Sequence, residues 1–393
     1  MTSDPIRLGV AGLGRAFVLM LPSFRADPRV RLVAAASPSP REAAAFTAEF
    51  GGPCHANVAA LCADPGVEAI YVATPHQMHR AHVVAALEAG KHVLVEKPLA
   101  VTLEDGLTMV EAARAANRHL IVGPSHSFDA PIALARQIID SGEFGRLRMV
   151  QALNYTDFLY RPRRPEELRS DQGGGVIFSQ GIHQIDIVRL LAGGMVTQVS
   201  AMTGAWDPQR PGEGAYAALM HFANGAFASL SYSGMAHFDS DVWMGNVGEL
   251  GHDKPADSYG AARRALASAA PADEIALKEA RTFGGGHQPA PAQHHEHFGP
   301  ILALCDRADL RLTPDGVEVS ANTRREFRRC PLSAATRAPV LDALVAALRE
   351  GRTPVQTGAW GLASLEVCHA IIASAASGQP QRLHHQITTG MEP

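Results

Sequence analysis

Lys97 is the first residue whose type and position suggest chemistry, because the apolar run Val93-Leu94-Val95 ends abruptly in Glu96-Lys97-Pro98. A lysine at the carboxyl end of a buried strand, restricted by the following proline, stands where open α/β sheets bind ligands. An ammonium group there can hold an oxygen and stabilise developing negative charge. A second group lies in GGGVIFSQGIHQIDIVRLLAG, Gly173 to Gly193, where a triple glycine leads into a predicted helix, Val176 to Leu191. Ser179, His183 and Asp186 fall at i, i+4 and i+7 and form one polar strip on that apolar helix. A buried polar strip must be hydrogen-bonded or functional, and an imidazole titrating near neutrality is a ready general base. Arg161, Arg163 and Arg164 occupy a Pro-rich loop just before the glycines. Their guanidinium forks suit carboxylates, with a solvated basic loop or an oligomer contact as the alternative.

The elements that must position these groups are legible in the first 125 residues. Ile6–Ala11, Val30–Ala36, Glu68–Ala73, His92–Glu96 and His119–Gly123 read as strands. Between them, Gly14–Ala26, Pro40–Phe50, Gln77–Ala89 and Leu103–Asn117 carry the helical period. Near-continuous apolar strands alternating with helices imply a doubly wound parallel sheet, a Rossmann-type dinucleotide-binding domain over residues 1–125. The first turn, Gly12-Leu13-Gly14-Arg15-Ala16-Phe17, matches the first two glycines of G-x-G-x-x-G and fails at the third, where Phe17 stands. Its place between a strand and a helix is the context that gives the pattern meaning. Gly12, Gly14, Arg15, Ala16 and Phe17 are therefore candidate cofactor contacts, as are Thr74, Pro75 and His79 after a later strand, and Glu96 with Lys97. The second strand ends at Ala36-Ser37-Pro38 with no acid for an adenosine ribose. Ser37 and Arg41 can instead accept a 2′-phosphate, so NAD and NADP both stay open.

Residues 126–393 read as a second α/β domain. A helix over Pro131–Ser141 introduces it, and strands follow at Gly145–Tyr155, Val196–Gly204, Ala215–Phe222, Ala226–Ser233 and Arg311–Ser320. Sequential strands with short turns predict a large, mainly antiparallel sheet, whose open face would join a homo-oligomer, a dimer or tetramer. Late helices are expected at Leu332–Glu350 and Gly358–Ser377, the second packing back on the first domain. The stretch from 251 to 286 reads as a mobile excursion. His294, His295, Glu296 and His297 are consecutive rather than spaced for one tetrahedral face, and His76, His79 and His82 lack carboxylate or cysteine partners nearby, so no metal is expected. A subunit contact or one substrate-pocket histidine remains open for the 294–297 group.

The 393 residues carry a net charge of -4, which disfavours nucleic-acid binding by phosphate neutralisation. Five scattered cysteines without a CxxC pair, no apolar h-region at the start and no uninterrupted membrane span predict a cytoplasmic protein with reduced thiols.

AGLGRAF, ATPHQMH, VLVEKP and GGGVIFSQGIHQID occur in the order and spacing of the Gfo/Idh/MocA oxidoreductases, and the resemblance covers nearly the whole chain. It implies an NAD(P)-dependent dehydrogenase whose active-site lysine and histidine map on Lys97 and His183. The family's usual aspartate, four residues before that histidine, is Ser179 here, which puts its sugar-dehydrogenase proton relay in doubt. Within the family the chain is most similar to phthalate 4,5-cis-dihydrodiol dehydrogenases, on GLGRAF, FLYRPRRPEEL, FSQGIHQIDIVRLL and HHEHFGP. That likeness implies aromatic catabolism, with a cis-diol bearing two ring carboxylates oxidised to the catechol. His183 would then be the base and Lys97 the oxyanion partner. Asp186 would orient the imidazole, Ser179 would meet the second hydroxyl, and the arginines would grip the carboxylates. A sugar or inositol dehydrogenase and a non-catalytic dinucleotide-dependent sensor are the competing readings.

Overall fold

A computed structural model of the chain describes residues 4–255, 257–268, 273–286, 290–333 and 335–389. Residues 256 and 269–272 of the 251–286 stretch, and 287–289 of the histidine-rich segment, lie outside the described residues. The first sheet is parallel and six-stranded: β1 (Ile6–Ala11), β2 (Val30–Ala36), β3 (Cys54–His55), β4 (Ala69–Val72), β5 (His92–Val95) and β6 (Leu120–Val122). Its order, β3-β2-β1-β4-β5-β6, reverses direction between β1 and β4, which places the ligand crevice at their carboxyl ends. Helices α1 (Arg15–Ala26), α2 (Pro40–Phe50), α3 (Val58–Ala63), α4 (His79–Glu88) and α5 (Leu103–Ala116) cross between the strands. The central strands β4 and β5 are buried almost throughout, as a sheet covered on both faces requires. The short β3 and α3 were not foreseen, since two strand residues leave no periodic signal.

Helix α6 (Ala130–Asp140) leads to a nine-stranded sheet in the order β14-β13-β12-β11-β7-β10-β9-β8-β15. Its strands are β7 (Leu147–Tyr155), β8 (Val196–Gly204), β9 (Ala215–Phe222), β10 (Phe227–Ser233), β11 (Ile301–Cys305), β12 (Ala308–Thr313), β13 (Gly316–Ala321), β14 (Arg325–Arg329) and β15 (Gln381–Arg382). Among the described residues of this sheet, only β7 and β10 pair in parallel. Alternating burial along β9 and β10 puts one face on α6, on α7 (Ile182–Ala192) and on the C-terminal helix, and leaves the other open. The run Arg311–Ser320, expected as one strand, is a hairpin of β12 and β13. Pro314-Asp315 makes its turn, and proline cannot serve inside a paired strand.

The predicted helix Val176–Leu191 is also two pieces. Ile177–Gly181 forms one π turn, and α7 follows from Ile182. The wider turn changes the phase between Ser179 and the rest of the strip.

Three later segments return to the first sheet. The 251–286 stretch contains α8 (Ala261–Ser268) and α9 (Asp273–Glu279), and it is no free excursion. Phe283 is buried against Phe17 and Phe50, and its N–H donates to the Leu13 carbonyl at 3.0 Å. Burying that ring stabilises the docked segment by about 1.5–3 kcal/mol. Helix α10 (Ala338–Glu350), starting later than Leu332, sends Val340, Leu341 and Leu344 into the same core. Helix α11 (Gly358–Ser377) lies against α5 and β6 on one side and β8 and α7 on the other. It is long and apolar enough to cross a membrane by length and composition, yet 67% of its apolar window is buried in the fold.

Candidate active site

A cavity of about 1320 Å³ runs from the glycine turn to the start of α7, roofed by the arginine loop and the strap around α9. At its first end the sequence dictates the backbone. Gly12 adopts φ +92°, and a Cβ there would stand 2.9 Å from the Ala73 carbonyl oxygen, so only glycine fits. Gly14 caps α1 without a side-chain bond and has no atom within 4 Å of a Cβ position, which opens the first amides of α1 to the cavity. Beside them Arg15 Nη1 is buried without a partner among the described residues, and burial with Arg281 and Arg337 nearby lowers the guanidinium to about 10. Exposed helix amides and an unpaired guanidinium suit the pyrophosphate of a dinucleotide. Ala16, Thr74 and Pro75 also line this end.

Two other candidates do not. Phe17 is fully buried, stacked edge-on to Phe283, and belongs to the core beneath the turn. His79 is likewise fully buried. Its Nδ1 faces the carbonyls of Pro98 and Leu99 and its Nε2 that of Thr74, so it ties the two strand-end loops together. Burial lowers its pKa to about 4. His76 and His82 line the cavity in its place, His76 with Nδ1 3.2 Å from the Gly173 carbonyl and His82 with Nδ1 3.0 Å from Thr74 Oγ1.

The end of β2 also departs from expectation. The Ser37 hydroxyl donates to Glu42 Oε2 at 2.6 Å and accepts from the Ser39 N–H at 3.1 Å. Arg41 Nη2 donates to Thr282 Oγ1 at 2.9 Å and to the Glu279 carbonyl at 3.2 Å, both on the strap. Both side chains line the cavity with these bonds already made, which leaves Arg41 Nε and Nη1 for a further acceptor. An acid does stand near the strand end: Glu42, in the first turn of α2, lines the cavity beside Ser37.

At the other end, Lys97 Nζ donates to the Ser179 carbonyl at 2.8 Å, which brings the lysine of the first domain to the turn preceding His183. Burial lowers its pKa. Glu96 lines the cavity too but is buried, accepting from the Tyr71 hydroxyl, and burial raises its pKa. The Ser179 hydroxyl turns back to the Gly175 carbonyl within the π turn, so its proton is not available to a ligand.

Asp186 does not touch His183. Its Oδ1 accepts from Trp360 Nε1 and from Ser364 Oγ, and its Oδ2 accepts from Ser125 Oγ at 2.7 Å. Ser125 in turn stands 3.4 Å from His183 Nδ1. The serine has one proton and gives it to the carboxylate, so the imidazole must be the donor at Nδ1 and keep its lone pair on Nε2. Burial, with Lys97, His126 and Arg337 around it, holds His183 neutral, well below the usual histidine range rather than near it. Its ring meets His126 edge-on, centroids 4.7 Å apart. His126 is the opposite case. Burial opposes charge, but Asp129, 2.7 Å from Nδ1, and Glu249, 3.6 Å from Nε2, outweigh it and raise His126 to about 10.

All three loop arginines line the cavity. Arg163 lies over the Phe158 ring at 3.5 Å, donates Nη2 to the Phe158 carbonyl, and keeps a buried Nε without a partner among the described residues. Burial lowers it to about 10. Arg161 Nη1 is 3.7 Å from Glu249 Oε2. Arg164 is placed by its N–H donating to Glu167 Oε2 at 2.8 Å.

Ser125, His126 and Glu249 were not anticipated. The first two follow β6, at a carboxyl strand end like Lys97 and Thr74, so the positional signal was present. Glu249 lies in a loop and had none. The 294–297 side chains face separate partners: His294 Asp315 and Asp253, His295 the Cys330 carbonyl, Glu296 Arg337 and Thr336, His297 the Val247 carbonyl.

Two family models match. "Oxidoreductase family, NAD-binding Rossmann fold" covers residues 6–124, and "GFO/IDH/MocA C-terminal domain" covers residues 132–252. The chain is 45% identical over 389 residues to 1-carboxy-3-chloro-3,4-dihydroxycyclohexa-1,5-diene dehydrogenase of Comamonas testosteroni, 98% of this chain and 97% of that protein. The solved structure of a putative dehydrogenase from Bordetella bronchiseptica RB50 superposes with TM-score 0.91 at 38% identity, over 96% of this chain and 100% of that one. An oxidoreductase from Agrobacterium radiobacter, solved with NAD+, shares the fold with TM-score 0.72 at 20% identity, covering 96% and 98%.

Proposed function

The chain belongs to the Gfo/Idh/MocA oxidoreductases, and from that premise we propose that it oxidises a cis-dihydrodiol of a carboxylated cyclohexadiene ring to the catechol. The reading rests on one arrangement: Lys97 from the first domain and His183 from the second open on one cavity whose roof carries Arg161, Arg163 and Arg164. The Comamonas relative acts, by its name, on a ring with one carboxyl group and a vicinal diol, which supports a carboxylated substrate. Three arginines at one rim favour two carboxylates, hence phthalate cis-4,5-dihydrodiol yielding 4,5-dihydroxyphthalate.

His183, neutral and with Nε2 free of protein partners among the described residues, takes the hydroxyl proton as general base. Ser125 and Asp186 hold the tautomer that makes this possible. Lys97 donates a second N–H to the same oxygen and stabilises its negative charge as the proton leaves. The nicotinamide dinucleotide, when bound, supplies the hydride acceptor. Gly12, Gly14 and Arg15 would hold its pyrophosphate, and Glu42 would be the acid available to its adenosine half.

The open face of the large sheet carries Met202, Leu219 and Phe227, all exposed, and we assign it to self-association. Five free thiols suit the cytoplasm.

The test is NAD(P) reduction across cis-dihydrodiols bearing two, one or no ring carboxylates, and across cyclic sugars and inositol. Carboxylated diols should lead in kcat/KM, and Arg163→Ala should raise KM for them selectively. A preference for sugars, or equal effects of Arg163→Ala on neutral diols, refutes the reading.

A further inference from the structure

Glu249 is a cavity carboxylate with no hydrogen-bond partner among the described residues. It sits in the turn between the bridged residues Val247 and Asp253, and its own carbonyl is fixed by the His297 N–H at 3.1 Å. Its Oε1 lies 3.6 Å from His126 Nε2 and its Oε2 3.7 Å from Arg161 Nη1, both beyond hydrogen-bond reach. Burial opposes its charge, but the pairing with His126 first, then Arg161 and Lys97, outweighs it and holds Glu249 ionised, at about 2. Other carboxylates at this end are engaged: Glu96 by Tyr71, Asp241 by Lys254, and Glu167 by Lys278 and the Arg164 N–H.

A vicinal diol brings two hydroxyl groups to the site. Lys97 and His183 deal with the oxygen on the carbon being oxidised. The second hydroxyl needs an acceptor, because a polar group buried on binding costs free energy unless it is paired. Ser179, one turn before His183, has its proton on the Gly175 carbonyl and offers an oxygen already crowded by the helix. Glu249, held by His126 and Arg161 only at 3.6 and 3.7 Å, keeps lone pairs for a hydroxyl, next to the histidine whose ring meets His183.

We propose that Glu249 accepts a hydrogen bond from the hydroxyl group that is not oxidised, and so makes the site selective for vicinal diols over single alcohols. The proposal rests on the dihydrodiol reading above. The alternative is a plain counter-ion for His126 and Arg161.

The experiment crosses two substrates with two variants. The kcat/KM of a carboxylated cis-dihydrodiol and of the matching ring alcohol lacking the second hydroxyl are measured for the wild type, Glu249→Ala and Glu249→Gln, with NADH affinity by fluorescence reporting an intact fold. A hydrogen bond to a charged group implies a loss of about 10–200-fold on the diol in Glu249→Ala, with a much smaller change on the alcohol. Glu249→Gln, which keeps an acceptor oxygen, should fall between. Equal losses on both substrates, or no loss on the diol, overturn the assignment and leave the dihydrodiol reading standing. A wild type inactive on every cis-diol sinks that reading first, and this one with it.

Discussion

Replacing Asp186 by asparagine should reverse the hydrogen bonds that set the His183 tautomer. Asp186 Oδ1 accepts from Trp360 Nε1, a group that can only donate, so the oxygen of the substituted amide must stay on that side. The amide nitrogen then faces Ser125 Oγ, across a contact that is 2.7 Å in the native chain. Ser125 becomes an acceptor there, and its one proton turns toward His183 Nδ1, 3.4 Å away. That moves the imidazole proton to Nε2 and removes the base nitrogen. General-base catalysis contributes about 10²–10⁴-fold, so kcat should fall within that range while KM and NADH affinity change by less than a factor of about three. The fold should survive with a loss of about 1–2 kcal/mol, since Trp360 and Ser364 keep an acceptor in place of a charged one. The assay is NADH formation under saturating substrate, with thermal melting as control. Ser125→Ala is the companion variant: it breaks the link without forcing the wrong tautomer, so its loss should be smaller. A kcat for Asp186→Asn within a factor of about three of wild type refutes the relay.

Two further outcomes follow from groups at the cofactor end and from the buried histidines. Glu42 should make the chain prefer NAD over NADP, because a 2′-phosphate would approach a carboxylate. Taking about 2 kcal/mol for this partly solvated pair, half the value for charges 4 Å apart at intermediate dielectric, Glu42→Gln should narrow the preference about 30-fold in measured Kd, and equal native affinities for NADH and NADPH would contradict it. Stability should fall in mild acid. His79 and His92 are each lowered to about 4 by burial, so the unfolded chain binds their protons first and their contribution, present above about 6.5, is lost as pH drops toward 4. For the fully buried His79 this amounts to on the order of 3 kcal/mol, and a melting temperature flat from neutrality to pH 4 would refute it.

How much was legible in the sequence depended on whether a residue's role was local. The Rossmann strands and helices declared themselves because apolar runs and helical periods are short-range signals, and β1 and β2 occupy the spans read from the sequence. Lys97 and His183 stood out because a strand end and a helix face are also local. Phe17 and His79 were misplaced for the complementary reason. Both lie within motifs that point at a ligand, yet Phe17 is drawn into the core by Phe283, which arrives from far along the chain. His79 is drawn inward by three carbonyls on two loops. Asp186, expected to orient the imidazole directly, reaches His183 only through Ser125 from the end of β6, and no spacing rule connects residues 125 and 186. Glu249 carried no pattern, since its surroundings of His126, Arg161 and Lys97 exist only after folding.

The strap around α9 gives these separate pieces a common frame. Its Phe283 N–H bonds the carbonyl of Leu13, between the two glycines of the cofactor turn, and its Thr282 and Glu279 receive Arg41 from α2. At its other end Glu274 binds Arg210 and accepts from the Arg163 N–H, while Lys278 pairs with Glu167 at the base of the arginine loop. One short segment therefore touches both the turn that suits a pyrophosphate and the loop proposed to hold carboxylates. The two halves of the site are set in register by this bridge as well as by the Lys97 bond to Ser179, with the strap anchored by the buried Phe283 ring and by two charged side chains, Glu274 and Lys278.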